Sequence, residues 1–516
     1  MGTPSLTALA LATIALVGGF YTLRARAPSD TRRPPGPRGV PLLGNLLQVP
    51  AKHLATYFRQ LCEEYGGLVS INLAGFRLML IGDMALAKEL LEKRSIKFSS
   101  RPVAPYSLLY DPEQQNWPVL PTGQTHFIGR KLSAGVMAGV RAGETELLQQ
   151  FDALLCANRL LDGKNWFHEL ERTSASMVMS AGFGLHCPTG EEPDLKEVLG
   201  SIADLVLLST PSGSIINALP FLDNIPGPWS KPWRAPAAAF RKREDAVYEK
   251  LFTRAISGEA AGMNTWASVF ASEDKPEGDQ RRLLNPYAVA AIETTASTLQ
   301  SFVLACILFP GWIARAQAEL DAVVGPDRIP VFKDRPHLPC VEAVLRETLR
   351  WRPALRFGLP HQATSDDVVE YQGKEYFIPK GTIVFAVTWA LEHDKSKYEN
   401  SDEFRPERFL DDKGQLKPGY ETSAFGFGRR VCAGQPFADR SLWINIATML
   451  WSFNIRKSSG FKYGCGDASF SGELSNPPLE FPAVFEARSA HHAEVIRQEW
   501  ADCEKDLNVL LPQHKK

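Results

Sequence analysis

The stretch Phe425-Gly426-Phe427-Gly428-Arg429-Arg430-Val431-Cys432-Ala433-Gly434 constrains this chain more than any other, because it sets one thiol on a glycine-rich loop beside two arginines. Glycines there let the backbone turn tightly and approach a flat group that side chains would hold off. Arg429 and Arg430 favour the ionised sulfur and offer cations to carboxylates. Residues 437–453 form an apolar, helix-forming run that would aim its first amides back at the sulfur. This is the pattern of a thiolate ligand. Two plainer readings compete. One is a buried structural cysteine; the other is a zinc site, which takes several Cys or His at short spacing, whereas Cys340 and Cys465 are far along the chain.

With 44% hydrophobic and 22% charged residues over 516 positions, the chain can bury a large core, and neither disorder nor a repeat array is indicated. A formal net charge of -1 gives no reason to expect nucleic acid as a partner. The eight cysteines lack paired spacing and read as reduced thiols rather than a disulfide framework. Residues 6–23 are almost wholly apolar or small and uncharged, and Arg24, Arg26, Arg32 and Arg33 follow them. The length can span a bilayer, and the basic flank keeps its C-terminal side cytoplasmic. A cleaved signal peptide would carry its basic residues on the other side. The expectation is therefore a retained anchor over 1–24, a basic and proline-rich hinge over 25–45 with Pro34, Pro35, Pro37 and Pro41, and one catalytic domain over 46–516.

Strand-like alternation over 68–73 and 78–81 predicts an antiparallel hairpin beside helices, with a further helix near 85–93. Helical periodicity dominates 145–308, broken by a Gly/Pro-rich stretch over 217–236 containing Trp229 and Trp233, read as either a solvated loop or a membrane-touching surface. Short strands return at 376–378 and 382–386. Glu347 and Arg350 stand at i and i+3 in a helical run over 341–351 and share a face. Ala290-Ala291-Ile292-Glu293-Thr294-Thr295 lies in another helical run, where threonine hydroxyls commonly bond back to the preceding turn.

The cysteine loop fills every fixed position of F-x-x-G-x-R-x-C-x-G, and through it the chain resembles the cytochrome P450 superfamily, in particular fungal microsomal members acting on secondary metabolites. The order of motifs matches as well: proline hinge, acid-threonine pair, E-x-x-R at Glu347 and Arg350, then Pro406-Glu407-Arg408-Phe409. The resemblance implies a mainly α fold with a small β-rich lobe, preceded by a transmembrane helix. It implies haem b, with Cys432 as the thiolate on iron, since a porphyrin supplies the other ligands a solitary cysteine lacks. By the same resemblance Phe425, Gly428, Arg430 and Gly434 bind that cofactor, Arg130, His126 and His361 meet its propionates, and Glu347, Arg350 and Arg408 form a buried ion triad. Glu293 would relay protons and Thr294 would hold dioxygen and its water. The implied partners are an NADPH-dependent reductase, docking near Arg429 and Arg440, the endoplasmic reticulum membrane, and an apolar small molecule contacted by 102–116, 355–359 and 472–474. A reductase-independent isomerase or dehydratase, and a catalytically silent haem binder, are the alternatives. Three departures from the family pattern stand out: His126 in place of a tryptophan, Ala291 in place of a glycine, and Asn285-Pro286 one turn before Ala290, which predicts a distal helix shortened at its N-terminal side.

Overall fold

The computed structural model describes residues 32–113, 116–209, 214–218, 220–225, 231–271 and 280–511; the expected anchor over 1–24 lies outside them. Helices dominate, with three small sheets. Strands β1 (Leu68–Leu73) and β2 (Phe76–Ile81) form the expected hairpin, Leu68 facing Ile81, around a turn in which Ala74 and Gly75 both have positive φ. That two-residue turn matches the twist of the strands it joins. Further along come β3 (His361–Gln362), β4 (Asp367–Tyr371), β5 (Lys374–Ile378) and β6 (Ile383–Ala386). β6 pairs parallel with β2 and antiparallel with β3, so the first sheet runs β1-β2-β6-β3. β4 and β5 form a second hairpin, and β7 (Phe453–Lys457) pairs with β8 (Ala483–Ala487).

Six helices position the site: α1 (Gln124–Arg141), α2 (Glu146–Leu161), α3 (Trp166–Phe183), α4 (Gln280–Leu308), α5 (Pro339–Trp351) and α6 (Gln435–Ser452). One core joins Leu154 of α2, Phe302 and Val303 of α4, Val341 and Trp351 of α5, and Trp443 and Trp451 of α6. A second joins Leu132 of α1, Val178 of α3, Ile292 of α4 and Phe437 of α6. Helix α4 thus contributes to both. Among the described residues its span Arg282–Leu308 is long and apolar enough to cross a membrane, yet 72% of its apolar window is buried inside the protein, as a core helix is.

The expected shortening of α4 is not found. The helix starts at Gln280 and runs through Pro286. Leu283 and Leu284 are each 1% exposed, and burying them is worth about 1.5–3 kcal/mol apiece. That is enough to offset the roughly 3 kcal/mol cost of an interior proline. The Trp117 indole donates to the Leu283 carbonyl at 3.0 Å, giving this turn a partner outside the helix. Of the stretch over 217–236, the described part includes Pro236 in the first turn of helix Arg234–Ser257, and Trp233, which donates to Asp223 at 2.7 Å. Trp229 lies outside the described residues.

Candidate active site

Cys432 is exposed, whereas Cys62, Cys156, Cys187, Cys306 and Cys340 are buried. Its surface opens inward, onto a cavity of about 240 Å³ whose wall it forms with Phe425, Gly426, Gly434 and the start of α6. The loop closes on itself where the Cys432 amide donates to the Phe425 carbonyl at 2.7 Å. Gly426, with φ at +75°, makes the turn, and a Cβ on Gly434 would meet nothing within 4 Å. The Gly434 and Gln435 amides lie beside the sulfur at the start of α6, the Gln435 amide donating to the Cys432 carbonyl at 3.4 Å. With Arg130 they pull its pKa down, against a larger upward push from burial. Two expectations change here. The cation acting on the sulfur is Arg130 rather than Arg429, which is exposed, or Arg430. Gly428 does not face the cavity: its φ is +52°, and a Cβ there would lie 2.2 Å from the Leu91 carbonyl oxygen, so it serves close packing of two backbones.

Three arginines and two histidines line the same cavity, Arg101, Arg130, Arg430, His126 and His361, and among the described residues no Asp or Glu does. Arg430 donates to the carbonyls of Ser99, at 2.6 Å, and Leu120, at 2.7 Å. Arg101 donates to Pro360 at 2.6 Å, and Arg130 to Val431 at 2.7 Å. Carbonyls orient these cations without neutralising them. Burial, reinforced by Arg430, pushes the Arg101 pKa down to about 9; burial and Arg130 bring Arg430 to about 10. His126, lowered to about 4 by burial and then by Arg430, Arg130 and Arg101, leaves Nε2 buried without a partner. His361, at the start of β3, shares its Nδ1 with the Phe98 carbonyl at 2.8 Å and is lowered to about 3 by burial and Arg101. Confined like charges and an orphaned imidazole nitrogen make a receptor for carboxylates. The inward thiol, the open space at Gly434 and this cationic end together fit a haem with two propionates.

Helix α4 supplies another part of the wall through Ala290, Ala291, Thr294, Thr295 and Thr298. The Thr294 hydroxyl donates to the Ala290 carbonyl at 2.7 Å, Thr298 to Thr294 at 2.8 Å, and Ser174 of α3 to Ile292 at 2.6 Å. Three carbonyls of one short stretch therefore carry a hydroxyl, which loosens the helical ladder there. Glu293 is not among the cavity residues. Its pKa is raised, chiefly by burial, with Ser475 acting in the opposite direction. Any proton it gives must pass to the cavity through its neighbours.

Behind the loop, Glu347 is fully buried and receives Arg350 at 2.6 and 2.9 Å, Arg408 at 3.1 Å and the Arg405 amide at 2.7 Å. Arg350 spends its remaining donors on the carbonyls of Glu392, Ser401 and Glu403. The Glu392 carboxylate in turn accepts from the amide and hydroxyl of Ser423 and from Thr422, just before the cysteine loop. Glu392 and Arg101 went unremarked in the sequence; neither an isolated acid nor an arginine before a proline signals burial. Of the expected substrate segments, Leu355, Gly358 and Leu359 line the cavity, while no described residue of 102–116 or 472–474 does. Arg440 pairs with Glu146 and the Arg141 carbonyl.

Residues 34–462 match the family model of cytochrome P450. The chain belongs to the cytochrome P450 family. Its relatives include a cytochrome P450 monooxygenase of Armillaria gallica, 32% identical over 94% of this chain and 96% of the relative. Another, from Postia placenta, is 34% identical over 87% of each. A third, from Aspergillus calidoustus, is 32% identical over 95% of this chain and 92% of its own length. This P450 is accordingly an oxidoreductase of the haem monooxygenase class, with haem iron as the family's cofactor. The uninterrupted α4 removes one of two grounds for reading it as a silent haem binder, the shortened helix; the other, Ala291, stands in the cavity wall.

Proposed function

We propose that the chain is a membrane-anchored monooxygenase of the endoplasmic reticulum. It binds an apolar small molecule of fungal secondary metabolism and takes electrons from an NADPH-dependent reductase. One atom of dioxygen enters a substrate C–H bond, and the other, with two electrons and two protons, leaves as water. The observation that carries this reading is one cavity shared by the Cys432 sulfur and the Thr294 hydroxyl.

Haem, when bound, supplies the iron chemistry that activates dioxygen. Cys432 would supply the sulfur that holds its iron, on a loop fixed by the bond from the Cys432 amide to the Phe425 carbonyl. Arg101, Arg130 and Arg430, with His126 and His361, would hold its propionates. Thr294 keeps a hydroxyl at the reacting side, and Glu293 stores the proton that replenishes it. Leu355, Leu359, Ala290 and Ala291 exclude water and favour an apolar substrate. The exposed Arg429 contributes to the face that receives the reductase.

The test is turnover of the full-length protein with a cytochrome P450 reductase, NADPH and isotopically labelled dioxygen, over a panel of polyketides, terpenoids and indoles. One labelled oxygen per product, strictly dependent on NADPH, is expected. Product lacking the label, or formed without NADPH, would overturn the reading in favour of an isomerase or dehydratase.

A further inference from the structure

We propose that Arg352 and Arg356 hold a small monovalent inorganic anion, chloride by size and charge, in a closed site behind the cavity wall. The ion fixes the segment 355–359 against the short helix Thr388–Glu392.

Both arginines follow α5 and turn into the interior, Arg356 with 1% and Arg352 with 2% of its surface exposed. All three Arg356 nitrogens are shut off from solvent without a hydrogen-bond acceptor. Arg352 spends its terminal nitrogens on the uncharged carbonyls of Trp351, at 2.8 Å, and Cys465, at 3.0 Å, and its Nε is likewise buried without a partner. The two guanidinium groups share the same pair of rings. The Trp389 ring lies 5.4 Å from Arg352 Cζ and 5.0 Å from Arg356 Cζ, and the Phe470 ring lies 5.4 and 4.0 Å from them. A ring face attracts the charge but is a weak acceptor for N–H donors.

Charge points to an anion as the missing acceptor. Burial and then Arg352 disfavour the Arg356 cation, with Asp467 opposing, yet a guanidinium does not give up its proton inside a protein. A buried charge is kept where a counter-ion meets it. The nearby acids are already committed: Asp467 accepts from Thr56 at 2.6 Å and faces His53 at 3.9 Å, and Asp402 pairs with Arg59 at 2.8 Å. Nor does His393 offer an acceptor. Its Nε2 takes the Trp389 indole N–H at 3.3 Å, so its buried, unpartnered Nδ1 carries the proton and is one more donor. With Trp389, Phe470 and His393 all buried, the site suits a compact ion of single charge rather than a phosphate or an organic acid. Its neighbours link it to the cavity, since Leu355, Gly358, Leu359 and Thr388 line that wall and the Trp389 amide donates to the Arg356 carbonyl at 2.7 Å. An anion shared by the two arginines offsets their repulsion and holds this part of the wall in one position.

The experiment uses the full-length holoenzyme, wild type and Arg356→Leu. Thermal unfolding is followed in chloride and in gluconate at equal ionic strength, bromide-soaked crystals are examined for anomalous scattering, and amide exchange is read at Trp389. Wild type should melt several degrees higher in chloride, as expected for an ion that binds the folded state alone. It should also exchange the Trp389 amide more slowly there and show an anomalous peak beside the Arg352 and Arg356 nitrogens, and Arg356→Leu should lose the chloride dependence. Melting indifferent to chloride, a chloride effect that survives in Arg356→Leu, or density at the guanidinium groups without anomalous signal, as water would give, would each overturn the site. Equal Trp389 exchange in the two salts would overturn the bracing role. If Arg356→Leu does not fold, the bromide peak in wild type decides alone.

Discussion

Two glutamates, Glu347 behind the cysteine loop and Glu293 on the distal helix, have opposite surroundings. Glu347 is buried among two guanidinium groups and an amide, with every oxygen engaged. Glu293 has no cation acting on it, and burial raises its pKa, reinforced by the charges of Glu473 and Glu171. The lesson is that a charge that must stay put is surrounded by fixed opposite charges, whereas an acid that must change protonation is kept from them. The thiolate side of the cavity is built as a rigid frame, and the α4 side, with its hydroxyl-bonded carbonyls, as a yielding wall.

The largest effect should come from breaking the frame. Glu347→Gln leaves Arg350 and Arg408 buried without their counter-charge, a loss of about 3–5 kcal/mol for a broken buried pair. The protein should fail to accumulate with bound haem, measured by soluble yield and thermal unfolding. Glu293→Gln should leave folding and haem loading intact yet slow NADPH-driven oxygenation by about 10²-fold, the lower end for a lost proton donor. Thr294→Ala should divert reducing equivalents to peroxide, read as peroxide released per NADPH consumed.

A third contrast is in pH. A carboxyl whose folded pKa lies above its unfolded value contributes stability at low pH and loses it as pH rises through the folded pKa. Glu293→Gln should therefore melt higher than wild type at alkaline pH and alike at acid pH. His361 works in the opposite direction: with a pKa of about 3 in place of 6.5, the haem-free protein should lose stability as pH falls from 6.5 toward 3. Haem propionates would supply the missing counter-charge, so the loaded protein should show a shallower acid limb in the same melts. The smallest effect is expected from Ala291→Gly, about 1 kcal/mol against the α4 helix and a modest change in peroxide release.

Local features were legible before the fold was seen. The cysteine loop, the β1–β2 hairpin and α5 each follow from residues close in sequence, and the structure brings Glu347, Arg350 and Arg408 together as the motif order implied. Features set by distant partners were not. The parallel pairing of β6 with β2 joins strands some three hundred residues apart. Gly428 looked like a cofactor glycine because nothing in the loop reveals the Leu91 backbone against it. Pro286 looked like a helix start because the burial of Leu283 and Leu284, which carries α4 through it, is a tertiary effect. Glu293 was assigned to the right helix, but its surroundings were not legible, since Ser475 and Glu473, which act on it, come from far along the chain.

The central claim is that Cys432 is the sulfur ligand of a bound haem, and the difference spectrum of the reduced, carbon monoxide-bound protein tests it most directly. Wild type should give the long-wavelength Soret band of thiolate ligation, and Cys432→Ala should lose it. A band that survives the substitution, or a wild-type protein that takes up no haem, would contradict the account.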